Sequence, residues 1–296
     1  MSDYIITQIR QADKYGNHLV DELLAAEGIR RDANLDYTCG MYDDEMNLIA
    51  TGSCFGNTLR CMAVSHTHQG EGLMNSIVSH LIEVQFSRGN THLFLYTKCD
   101  SARFFGDLGF YEIARINGQI VFMENKRTGF SSYLNSLEKQ KESAPPRIAA
   151  LMMNANPFTL GHQYLVEKAA SENDILHLFI VSEDAMLDLT VFTKIASALG
   201  INRRYVGEEP TSLVTGIYNQ IMSEKLPENG IECVIVPRKE NKGAVISAST
   251  VRQALKEENW PLLEELVPET TLNYFKSPDA RPVIDKIQAS ENVIHY

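Results

Sequence analysis

The 296-residue chain has no C-x-x-C pair, and its five cysteines (Cys39, Cys54, Cys61, Cys99, Cys233) are odd in number. That argues against a disulfide framework or a zinc ribbon and fits reduced thiols in a cytoplasm. No apolar run approaches the ~18 residues of a membrane span, and the opening MSDYIITQIR lacks the apolar core of a secretion signal. A cytoplasmic protein with no membrane partner is expected. Basic residues are too few for a nucleic-acid binder: Lys+Arg 27 stand against Asp+Glu 38, a net charge of −11. The stretches before and after Pro146 carry −5 and −6, so neither is a basic arm. There is no repeat and no low-complexity tract. His18, His80, His92, His177 and His295 show no metal-ligand spacing, and no metal site is expected.

What the chain does have is the 44% hydrophobic content of a folded globular protein, at a length that predicts two domains. The segment 131–146 reads as a linker: a polar helix carrying Leu134 and Leu137, ended by Pro145-Pro146 just before the strand RIAALMMN. Residues 1–130 and 147–296 are the expected domains. The first mixes short strands with helices at Lys14–Ala26 and Leu73–Arg88, an α+β pattern. The second alternates apolar strands with helices, which predicts a parallel sheet of the α/β class. Helices packed on this domain are expected near the end, with Trp260 as an anchor.

The strand RIAALMMN runs into Asn154-Ala155-Asn156-Pro157-Phe158-Thr159-Leu160-Gly161-His162, where a helix begins. Such a turn lies at the carboxyl edge of an open sheet, where ligands bind. The unpaired N–H groups of the helix start suit a phosphate. Gly161 would let the backbone approach the anion, and His162 could donate to a phosphate oxygen. A helix cap at Thr159 and a surface histidine would leave the same pattern. A second helix start, Ile246-Ser247-Ala248-Ser249-Thr250-Val251-Arg252, sets two hydroxyls and a guanidinium within one turn. Either motif alone could be capping, but two phosphate-suited helix starts in one α/β domain are more specific.

Together these motifs resemble the H/T-x-G-H nucleotidyltransferase superfamily, with Thr159-Leu160-Gly161-His162 as its first signature and Ile246–Arg252 as its second. The resemblance implies a Rossmann-like fold. It puts Thr159, His162 and Arg252 in catalysis, and Asn154, Asn156, Phe158, Gly161, Ser247 and Ser249 in nucleotide binding. NANPFTLGHQYLVEKA, the RYVGEEP segment and VPRKE…ISASTVRQAL narrow the similarity to the citrate lyase ligase family. That family's reaction is an acid–thiol ligation that forms AMP, with ATP and Mg²⁺ as cofactors and acetate as substrate. Its partner is the citrate lyase acyl carrier subunit, acetylated on its phosphoribosyl-dephospho-coenzyme A thiol. The alternatives are an adenylyltransferase acting on a phosphorylated acceptor, or a coenzyme A-dependent acetyltransferase. Arg203-Arg204 and Arg238-Lys239 are further candidates for anchoring phosphates, with solvated surface charge as the competing reading. The family also carries more helix and strand after Val181–Asp184. Here the connection looks too short for a parallel crossover, so residues are expected to be missing between Asp184 and Leu187.

In the first half, Val64–Leu73 resembles the coenzyme A pyrophosphate loop of GCN5-related N-acetyltransferases. Gly70 and Gly72 match, while Thr67 departs from the usual Gln or Arg. Ala102–Tyr111 resembles that fold's F-Y-x-x-L-G-F element. Tyr111 is the conceivable acid and no base stands out. The first domain is therefore expected to bind the coenzyme A-like group or the lyase rather than to catalyse acetyl transfer.

Overall fold

The computed structural model describes residues 4–141, 145–181, 189–208, 213–290 and 293. The chain divides into two compact units, residues 1–133 and 134–296. The division falls inside a helix, α4.

The first unit runs β1 (Ile6–Gln8), α1 (Lys14–Ala26), β2 (Tyr37–Tyr42), β3 (Leu48–Phe55) and β4 (Thr58–Val64), followed by α2 (Leu73–Ser87) and β5 (Phe94–Lys98). It ends with α3 (Ala102–Asp107), β6 (Tyr111–Ile116), β7 (Ile120–Glu124) and the start of α4 (Gly129–Glu138). Its seven strands form one sheet in the order β1-β2-β3-β4-β5-β7-β6. Ile77 and Leu81, four residues apart on α2, are both fully buried. A Cβ at Gly52 of β3 would lie 2.5 Å from Ile77 and 2.9 Å from Leu81, so the missing side chain lets α2 sit close on the sheet. All neighbouring strands are antiparallel except β4 and β5. These run parallel and pair only at their first residues, Thr58 with Phe94 and Leu59 with Leu95. Beyond that point no pairing joins them, and a cleft opens there.

The second unit holds β8 (Ile148–Met153), α5 (Leu160–Glu172), β9 (Ile175–Ile180), α6 (Leu189–Leu199), β10 (Arg203–Gly207), α7 (Leu213–Lys225) and β11 (Glu232–Val236). A small hairpin of β12 (Glu240–Asn241) and β13 (Ala244–Val245) leads to α8 (Ala248–Lys256), α9 (Trp260–Leu266), α10 (Glu269–Lys276) and α11 (Arg281–Ala289). The main sheet is parallel throughout, in the order β11-β10-β8-β9. The chain goes from β8 outward to β9 and then back across to β10, so the strand order reverses beside β8. In open α/β sheets ligands bind in the crevice at such a reversal, beyond the carboxyl ends of the strands. Between β9 and β10 the described residues include α6. Asp184–Leu187 lie outside the described residues.

One face of the sheet buries Ala149, Leu151 and Tyr205 with Ala169 of α5. On α6 the Phe192 ring lies against Arg204, whose guanidinium sits 4.1 Å from the ring centroid. The last four helices form their own core around Val251, Leu255, Leu263, Phe275 and Ile287, with Trp260 and Leu160 packed against it.

Arg203 and Arg204, candidates for phosphate anchoring, sit at the start of β10. Arg204 pairs in register with Ala150, so both lie toward the end of the sheet opposite the Asn154 turn. Arg203 donates from Nε to Glu232 at 2.7 Å. Arg204 is 4% exposed, and its Nε and Nη1 have no hydrogen-bond partner among the described residues. A buried, incompletely paired guanidinium is costly, and an apolar residue of similar length avoids that cost. Arg204→Met is therefore expected to be neutral or to stabilise the protein by about 1–4 kcal/mol, read as an unchanged or raised urea midpoint. A clear loss of stability would mean that the guanidinium's stacking on Phe192 outweighs that cost.

Candidate active site

The site begins where β8 ends. Asn154 and Asn156 are exposed in the turn, and between them Ala155 has φ +53°, a left-handed conformation that a non-glycine residue adopts at a cost. Thr159 then caps α5. It is 1% exposed, and its Oγ1 accepts from the His162 backbone N–H at 3.2 Å. The reciprocal bond runs from the Thr159 N–H to His162 Nδ1 at 3.1 Å, which completes a capping box. Because Nδ1 accepts this bond, a neutral imidazole carries its proton on Nε2, the remaining donor of the ring. The Phe158 ring stacks on the same imidazole, 5.7 Å between centroids and 22° apart in plane.

Burial pulls His162 from the ordinary 6.5 down to about 4, and the positive charge of Arg238 adds to the shift. Arg238 follows β11 at the same edge of the sheet and donates from Nε to the Glu208 carbonyl at 2.7 Å. It shares the electrostatic surroundings of His162, which the order of residues along the chain did not reveal. Glu209, its neighbour in sequence, lies outside the described residues.

The second motif joins the first through two contacts. A Cβ at Gly161 would stand 3.2 Å from the Ile246 carbonyl oxygen and 3.4 Å from Thr159 Oγ1, so glycine permits the start of α5 to lie against the strand of chain entering α8. Arg252, 7% exposed, donates from Nη1 to the Asn156 carbonyl and from Nε to the Val293 carbonyl at 2.7 Å. Ser247 caps α8 by accepting from the Thr250 N–H at 3.1 Å, and its hydroxyl lies 2.8 Å from that of Ser249. Thus Asn156, Thr159, Gly161, His162, Ser247, Ser249 and Arg252 form one cluster at two neighbouring helix starts. Asn154 and Phe158 flank it on the turn. The arrangement offers backbone N–H groups, one imidazole N–H, hydroxyls and nearby positive charge to an anion.

In the first unit the cleft between the diverging β4 and β5 encloses about 820 Å³. Gly70 and Gly72 line it at the start of α2 with φ of +91° and +79°, conformations that exclude ordinary side chains. Lys98, Tyr96, His68 and Cys61 also face it. His68 Nδ1 lies 2.9 Å from Thr67 Oγ1, so the residue that departs from the expected loop pattern is engaged within the loop.

Two capped helix starts thus meet at the carboxyl edge of a parallel sheet in an α/β domain. The family description "Citrate lyase ligase C-terminal domain" matches residues 148–187 and 185–275. The chain is 32% identical to [Citrate [pro-3S]-lyase] ligase of Haemophilus influenzae, covering 87% of this chain and 94% of that protein. It is also 32% identical to the Klebsiella pneumoniae protein of the same name (89% and 93%), and 30% identical to that of Escherichia coli (92% and 94%). This chain belongs to the citrate lyase ligase family. The first of these alignments spans 317 positions, more than the 296 residues here, so the relative carries residues without a counterpart in this chain. Solved structures similar to part of the chain include an acyl-CoA N-acyltransferase from Pseudomonas aeruginosa (14% identity, 42% of this chain, 99% of that one, TM-score 0.36) and ElaA from Escherichia coli (12%, 42%, 99%, TM-score 0.35). No helix among the described residues is long and apolar enough to cross a membrane.

The low basicity of His162 has a measurable consequence. The unfolded chain protonates this residue near 6.5 and the folded protein only near 4. Its contribution to stability is therefore complete above pH 6.5 and lost as the pH falls from 6.5 through 4. In NMR titration of the folded protein its ring protons are expected to stay at their neutral position down to about pH 5. His162→Gln should flatten part of the acid-side loss of stability, and an imidazole midpoint near 6.5 in the folded protein would contradict this environment.

Proposed function

We propose that this protein uses ATP to adenylate acetate and then passes the acetyl group to the prosthetic-group thiol on the acyl carrier subunit of citrate lyase. AMP and pyrophosphate are released and the lyase becomes active. The observation that carries this reading is the meeting of the Thr159–His162 and Ser247–Arg252 helix starts, in a chain of this family.

In this reading the triphosphate lies across the two helix N-termini, where backbone N–H groups and the Ser249 hydroxyl take up its charge. The His162 Nε2–H is aimed at an oxygen that gains charge as pyrophosphate departs. A neutral imidazole suits this donor role, because the proton need not leave the enzyme. Arg252 fixes the Asn156 carbonyl and adds positive charge beneath the phosphates. An acetate oxygen attacks the α-phosphorus, the bond from that phosphorus to the α,β-bridging oxygen breaks with its electron pair leaving on pyrophosphate, and acetyl-adenylate results. Among the described residues no group of three His, Cys, Asp or Glu side chains is placed to hold a metal ion. Mg²⁺ would come with the substrate as MgATP, held through phosphates and water. The cleft of the first unit takes the pyrophosphate of the carrier's prosthetic group at the Gly70–Gly72 loop.

The direct test is acetate-dependent exchange of labelled pyrophosphate into ATP, followed by lyase activation on adding its thiol form. His162→Ala should slow exchange by ~10²–10³-fold with little change in the Michaelis constant for ATP. Near-normal exchange in that variant would remove His162 from the reaction. Gly70→Asp with Gly72→Asp should leave exchange intact and sharply reduce lyase activation, since two carboxylates would repel the pyrophosphate and strain the loop. Undiminished activation would place the carrier elsewhere.

A further inference from the structure

A second cavity in the second unit borders the same turn. It encloses about 440 Å³ and is walled by Ala155–Phe158 on one side and by α10 and α11 on the other, with Leu255 of α8 at its floor. We propose that this cavity receives the neutral, pantetheine-type arm that presents the acceptor thiol to the acetyl-adenylate. The assignment rests on the ligase reading above and adds to it the place from which the thiol attacks.

Three observations support it. The first is charge. None of the side chains lining the cavity is ionisable near neutral pH, so neither a triphosphate nor free acetate would find a counter-charge in it. Moving such an anion there would cost its hydration with no return. The second is size and chemistry. The volume lies within the ordinary range for small-molecule sites and far exceeds what a two-carbon acid needs. Val283 and Ile287 offer apolar surface, while Thr270, Thr271 and the exposed Tyr274 offer hydroxyls. A chain of methylenes, methyls and amides without formal charge matches that mixture. The third is position. Phe158 lines the cavity and stacks on His162, and Asn156 lines it while its carbonyl is held by Arg252. The turn that leads into the proposed adenylation site thus forms one wall of the cavity. Tyr274 and Val283, 44% and 38% exposed, leave the opposite rim open to solvent.

In the transfer step the sulfur of the arm, as thiolate, attacks the acetyl carbonyl carbon. A C–S bond forms and the bond from that carbon to the phosphate oxygen of AMP breaks. The electron pair of that bond leaves on AMP, and the thiol proton passes to solvent. No oxidant or further co-substrate is needed.

D-pantetheine serves as the probe, with the full chain, MgATP and acetate. The wild-type protein is expected to form acetyl-pantetheine. Val283→Trp and Thr271→Phe, which fill the cavity from its rim and its wall, should each raise the Michaelis constant for pantetheine at least about tenfold. Acetate-dependent pyrophosphate exchange, which needs no thiol, should be unchanged in both, and this also certifies their folding. An unchanged pantetheine constant in both variants would overturn the assignment. So would a raised constant for ATP, which would put the nucleotide's base in the cavity. Robust exchange without any acetylation of pantetheine by the wild type would overturn it as well. Absence of exchange in the wild type, by contrast, strikes the ligase reading itself, and the arm assignment falls with it.

Discussion

The missing side chain at Gly161 is the constraint on which the second unit's site depends. With the Ile246 carbonyl oxygen 3.2 Å from where a Cβ would stand, the first turn of α5 rests directly on the chain that enters α8. Two helix starts that lie 88 residues apart in sequence, at Leu160 and Ala248, thereby become neighbours. Arg252 reinforces the junction by reaching back to the Asn156 carbonyl. Glycine at this position does more than allow a ligand near the backbone; it closes the gap between two pieces of protein. Without that approach each helix N-terminus would be an ordinary capped end.

The fold was largely legible in the sequence, because its signals are local. The 3.6-residue spacing of Ile77 and Leu81, the apolar run from Ile148 to Met153 and the cap at Thr159 each announce their element. The helix starts at 159–162 and 247–252 were legible for the same reason. What was not legible depends on contacts between distant segments. The motif marks Arg252 as a phosphate candidate, but not that its Nε and Nη1 also donate to two backbone carbonyls, of Val293 and Asn156. Arg203 and Arg204 read as a basic pair, but strand alternation turns one toward Glu232 and buries the other on Phe192. No local pattern discloses that Arg238 shares the surroundings of His162.

The two units solve the problem of making a cavity differently. In the first, a parallel pair of strands stays together for two residues and then separates, so the opening lies within the sheet itself. In the second, β8 and β9 stay paired along their whole length, and a cavity forms where the turn after β8 meets the terminal helices. The first solution leaves strand backbone facing the cleft. The second leaves helix starts at that edge. The first exposes a line of donors and acceptors, and the second concentrates donors of one polarity, which suits highly charged phosphates.

The capping box at Thr159 and His162 also sets when the cost of ordering is met. An imidazole on a free surface samples several rotamers, and aiming it at a reacting oxygen would consume entropy during each turnover. Here the ring is held by the Thr159 N–H on one side and by the Phe158 face on another, before any substrate arrives. The ordering of this donor is therefore charged to folding of the chain rather than to the activation barrier. In the proposed reaction a helix cap, ordinarily a device of stability, would thereby contribute to rate.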